Sequence, residues 1–129
     1  MDKSTILQTF NNHFFEFVDD IQSVFPDDTD IMAAKTALVS MRKLNPRLIP
    51  KIWYECIVVK YDENIQNGDI SFFLNKDYTE DLADMGSSAN TIVSKINILR
   101  EPIKNMGEEN QDKSMKYIKN LNKLAKLYN

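Results

Sequence analysis

Leu48-Ile49-Pro50-Lys51-Ile52-Trp53-Tyr54-Glu55-Cys56-Ile57-Val58-Val59-Lys60-Tyr61 is the most apolar stretch of this 129-residue chain, and the fold class turns on whether it is strand or helix. As a strand, residues 52–59 carry the β-branched and aromatic side chains that sheets favour, but they lack the period-two alternation of a half-buried strand. As a helix, the apolar side chains cover well over half of the circumference, which suits a central helix with Trp53 and Ile57 in the core. We read it as helix. Asn45-Pro46 ahead of it repeats a start signal, a capping residue followed by proline at the first helical position. Pro50 then either starts the main body of the helix or breaks its first turn.

The apolar residues on the N-terminal side of this stretch keep helical spacing. Ile6, Leu7, Phe10, Phe14, Phe17, Val18, Ile21, Val24 and Phe25 fall within a stripe about 120° wide at 100° per residue. This predicts a first helix capped by Ser4 and running to about Phe25, where Pro26 ends it. Phe15 lies about 60° outside that stripe, so it either meets a neighbouring loop or is an exposed aromatic open to a partner. Thr29 or Asp30 is expected to cap a second helix ending near Leu44, with Ile31, Ala34, Leu38, Met41 and Ala37 turned inward.

On the C-terminal side, residues 62–86 read as an irregular connector. Asn67-Gly68 makes a turn, bulky apolar residues of Asp69-Ile70-Ser71-Phe72-Phe73-Leu74 plug the core, and a short helix near 79–85 closes on Gly86. Ser87 or Ser88 caps the next helix, in which Ala89, Ile92, Val93, Ile96, Leu99, Ile103 and Met106 keep helical spacing and Pro102 must kink or divide the rod. Gly107 breaks it, and a final helix runs from about Glu108 to Tyr128. The expected fold is an all-α compact bundle of about five to six helices forming a single domain over residues 1–129.

Composition agrees, because three glycines and four prolines are too few for a many-turned β architecture. Sixteen basic against nineteen acidic residues leave a net charge of −3, with no global attraction to nucleic acid or anionic membrane. The charge is unevenly placed: residues 1–30 carry −6, 31–61 carry +5, 62–86 carry −6 and 87–129 carry +4. Either these segments pair their charges inside the fold, or they offer acidic and basic surfaces to partners. Met1-Asp2-Lys3-Ser4 lacks the apolar core of a signal peptide, and no apolar run nears a membrane span. A soluble, intracellular protein is expected.

Few residues suggest catalysis or cofactors. His13, Glu16 and Asp20 share one side of the first helix, but the chain has one histidine, which excludes the repeated Glu-x-x-His of a di-metal bundle. The acidic clusters Asp27-Asp28-Thr29-Asp30 and Asp62-Glu63-Asn64 lack the glycine and glutamate of a calcium loop, and the first suits helix capping better. Cys56, the single cysteine, sits in apolar surroundings that disfavour a thiolate. With glycine only at positions 68, 86 and 107, no phosphate-binding loop can be written. No enzyme, metal or cofactor is expected.

The last helix offers the most suggestive surface. Lys113, Lys116, Lys119, Lys123 and Lys126 occupy one arc of about 140°, opposite Tyr117, Ile118, Leu121, Leu124, Ala125 and Tyr128. The arc either stays in water beside the chain's own acidic segments, or binds an acidic protein partner or a phosphate backbone. With Phe15, these five lysines are the candidate partner-binding residues.

Phe25-Pro26-Asp27-Asp28, Asn45-Pro46 with Trp53 following, and Gly68-Asp69-Ile70-Ser71-Phe72-Phe73-Leu74-Asn75-Lys76-Asp77-Tyr78 carry a further signal. Over roughly residues 5–82 the chain resembles a group of short uncharacterised proteins of large nucleocytoplasmic DNA viruses of algae and amoebae. The resemblance leaves the basic last helix out and transfers no chemical role to any residue. It implies a viral product of the host cell cytoplasm or the virion, a virion-associated or minor structural component whose partners are capsid or other viral proteins. The alternative is an accessory factor for viral replication or transcription that touches nucleic acid through the basic helix.

Overall fold

The computed structural model describes residues 2–68 and 87–129, apart from the side chains of Lys60, Ser87 and Ser88. Helix dominates these residues and no strand occurs among them. The helices are α1 (Lys3–Val24), α2 (Thr29–Leu44), α3 (Leu48–Trp53), α4 (Val59–Gln66), α5 (Ser87–Lys104) and α6 (Glu108–Tyr128), and a π-helical turn, Tyr54–Val58, joins α3 to α4. The apolar stretch at 48–61 is therefore helical. The core plug at 70–74, the short helix at 79–85, its Gly86 cap and the Ser87 and Ser88 capping side chains lie outside the described residues.

Proline sets two of the boundaries. Phe25 and Asn45 each precede a proline, which pushes them out of helical backbone, and α1 and α2 end there with φ −127° and −154°. The starts differ from expectation by one or two residues. Asp2, not Ser4, caps α1 by accepting the Thr5 amide at 2.8 Å. Asp28, not Thr29 or Asp30, caps α2 by accepting the amides of Asp30 and Ile31 at 2.9 and 3.1 Å. In both cases a carboxylate favours the positive end of the helix dipole. Asn45 does not cap α3 directly: its side chain accepts the Arg47 amide, closing a turn first, and α3 starts at Leu48. Pro50 falls in the first turn of α3, where its missing N–H removes no helical bond.

The connector is shorter than expected, because helix continues through Asp62-Glu63-Asn64 to Gln66. Ile65 is fully buried, and burial of that side chain outweighs the loop-like composition around it. Gly68 then takes φ +82°, a left-handed conformation open to glycine. Pro102 does not divide α5: it sits in the last turn, and the helix ends two residues later. The Gln111 side chain of α6 donates to the carbonyls of Ile103 and Lys104, supplying partners that the end of α5 lacks.

All these helices share one core. α1 lies mainly along α6 and α2 along α5, while the α3–π–α4 rod packs against α6. Phe10 and Phe14 each meet the Trp53 indole edge to face at the centre of the core, with ring centroids 6.4 and 6.1 Å apart. Asn11, buried beside them on α1, donates to the Pro46 carbonyl at 2.9 Å and ties down the α2–α3 turn.

The π turn changes what the central rod can reach. In an unbroken α-helix Trp53 and Asp62, nine residues apart, would face about 180° away from each other. Here the widened turn rephases the rod, and both side chains bond to Asn122 of α6.

Candidate functional site

The lysine arc of α6 is divided by the fold. Lys113 donates to Asp20 of α1 at 2.7 Å, and Lys126 is bonded to Asp62 of α4. Lys116 and Lys123 are exposed and Lys119 half-buried, and none of the three has an ion pair among the described residues. At 100° per residue they occupy about 60° of the helix surface, a single ridge. Leu127, which is 62% exposed, continues the ridge toward the C-terminal end of α6.

The two anchoring pairs have different surroundings. Asp62 receives the Asn122 amide at 3.1 Å and the Gln66 amide at 3.2 Å in addition to Lys126, and Asn122 in turn accepts the Trp53 indole N–H at 2.7 Å. Partial burial pushes the Asp62 carboxyl up, but the hydrogen bonds from Lys126, Asn122 and Gln66 and the Lys126 charge together hold it below the usual value. At the other end, the hydrogen bond to Asp20 and its charge raise Lys113, while desolvation and the same carboxylate raise the Tyr117 phenol. Tyr117 stacks on Phe17 and lies 4.9 Å from the His13 ring.

Ion pairs join oppositely charged segments across the fold: Asp19 to Lys35, Asp20 to Lys113 and Asp62 to Lys126. This is internal pairing of the alternating charge. Asn122 and Asn11 escape sequence reasoning, because an asparagine on an apolar face reads as an imperfection until its partner is placed.

Phe15 is not an exposed aromatic. It is 8% exposed, and the Arg42 guanidinium of helix α2 sits 5.5 Å above its ring. With Val39 and Pro46 it forms the apolar part of a depression of about 470 Å³ edged by Lys35, Arg42 and Lys43. Lys35 is engaged by Asp19, and Arg42 also donates to Asn12.

His13 Nδ1 is 3.7 Å from Glu16, but Asp20 turns to Lys113, and no group of three or more metal-ligating side chains occurs among the described residues. Cys56 is buried in the core. No described helix is long and apolar enough to cross a membrane. Comparison with protein-family models, with curated proteins and with solved structures gives no match.

Proposed function

We propose that this chain is a non-enzymatic helical interaction protein that meets an acidic protein partner through the lysine ridge of α6. The observation that carries this reading is the division of the arc: Lys113 and Lys126 are consumed by Asp20 and Asp62, and Lys116, Lys119 and Lys123 are left together on one ridge. Three like charges within about 10 Å along a helix attract a complementary row of carboxylates, setting association rate and register. Leu127 adds an apolar contact at the end of the row. The ridge is all lysine, compact point charges without the planar fork that reads base edges, which favours a protein over a nucleic-acid sequence as partner.

The resemblance of residues 5–82 to proteins of large nucleocytoplasmic DNA viruses is what supports a partner among capsid or other viral proteins and a virion-associated or minor structural role. The test is affinity capture from infected cells together with virion proteomics, using the parent and a Lys116→Gln, Lys119→Gln, Lys123→Gln variant. The parent is expected to retain an acidic protein that the variant loses. Equal capture by both overturns the ridge as the contact. A sequence-selective DNA complex tighter than about 1 μM overturns the partner class and favours the replication or transcription role.

A further inference from the structure

α2 carries opposite chemistries at its two ends. At its start, Phe25, Ile98 and Pro102 form the apolar part of a depression of about 320 Å³, edged by Asp28, Asp30, Glu101 and Asn105. Asp28 is occupied as the helix cap, and Glu101 lies 3.6 Å from Lys104. Asp30 is exposed and has no ion pair among the described residues. At the other end of the helix, Leu44 is 81% exposed, more than any other large apolar side chain among those described. Exposed Lys43 and Arg47 flank it.

We propose that the Leu44 end of one copy docks into the Phe25–Ile98–Pro102 depression of a second copy, with Lys43 and Arg47 against Asp30 and Glu101. Charge and shape both favour this occupant. The knob is apolar with a basic collar, the hole is apolar with an acidic collar, and the hole has room for one leucine side chain. Like ends repel, so neither end accepts a copy of itself.

Knob and hole lie at opposite ends of a 16-residue helix, about 24 Å apart. The contact is therefore heterologous: each copy offers a free knob and a free hole, and growth gives an open chain or a ring rather than a two-fold dimer. A single leucine with its collar buries less surface than a standard interface, so the association is weak and depends on concentration and salt. The α6 ridge takes no part, and this contact stands or falls independently of the acidic partner.

The test is sedimentation velocity of the full chain over a rising concentration series, at about 0.01 M and about 1 M salt, where the screening length falls from about 30 to about 3 Å. The weight-average sedimentation coefficient is expected to rise with concentration at low salt and less at high salt. Leu44→Asp, which keeps the hole, and Asp30→Lys with Glu101→Lys, which keeps the knob, should each sediment as monomer while retaining the parent's circular dichroism. An equimolar mixture of the two should form a one-to-one complex that grows no further. A parent that stays monomeric throughout, folded variants that associate like the parent, or a mixture that stays monomeric would each overturn the proposal.

Discussion

The two lysine–aspartate pairs that fasten α6 are alike in chemistry and unlike in consequence. Asp62 uses both carboxylate oxygens, and through Asn122 it is linked to the indole at the centre of the core. Asp20 uses one oxygen for Lys113, and its other oxygen is buried without a hydrogen-bond partner, as is Nε2 of nearby His13. The Coulomb attraction of a half-exposed pair contributes little by itself. What separates the two sites is how many other buried donors and acceptors each carboxylate satisfies, because an unmade buried bond costs more than a made one returns.

That contrast can be broken by mutation, and the largest effect is expected at the core end of the linked network. Trp53→Ala should cost about 3–5 kcal/mol in urea denaturation, since a fully buried indole leaves a cavity as well as losing its transfer energy. Asn122→Leu should follow at about 2–3 kcal/mol: it removes the acceptor of the indole N–H and a donor to Asp62 while conserving volume. A loss under about 0.5 kcal/mol would show that the network is incidental.

The pH dependence sharpens the same point. A carboxyl held below its ordinary 3.8 contributes stability that is fully present above that value and is lost as pH falls through the lower folded value. Stability should therefore drop below about pH 4 in the parent, and Asp62→Asn should flatten that acid limb while lowering stability at pH 7. An acid limb unchanged by the substitution would assign the effect to other carboxylates. The smallest change belongs to the other pair. Lys113→Gln should change the unfolding midpoint at pH 7 the least of these variants, because the Lys113 side chain is more than half exposed and its ion pair is screened by solvent. A midpoint lowered as far as in Asn122→Leu would erase the distinction between the two sites.

Much of the helical pattern was readable from local chemistry. Pro26 and Pro46 act on the residue before them whatever the tertiary context, so the ends of α1 and α2 were legible. The inward rows of α5 and α6 were legible for a similar reason, since a 3.6-residue period and a buried face are properties of one segment. Helix starts were less so. Asp2 and Ser4, or Asp28 and Thr29, are comparable caps, and a bond of about 1 kcal/mol chooses between them. The run Asp62-Glu63-Asn64 looked like a loop because its stabilisation comes from α6, not from its own residues.

The candidate surface shows the same division. An arc of five lysines is a property of the α6 sequence, and so is the absence of a phosphate loop or a second histidine. Which of the five are free was decided only by the tertiary structure, since Asp20 and Lys113 are 93 residues apart and Asp62 pairs with Lys126, also far along the chain. Phe15 is likewise an off-stripe aromatic in sequence and a covered one in the fold, because Arg42 of α2 comes over its ring. The π turn belongs to this second class. The residues from Tyr54 to Val58 fit an ordinary helix locally, and the wider turn is what lets Trp53 and Asp62, on either side of it, reach one asparagine. Backbone preference and apolar period act within a few residues and can be read along the chain. Hydrogen bonds and ion pairs between distant residues depend on helices already packed, and so their outcome is set by the assembled core.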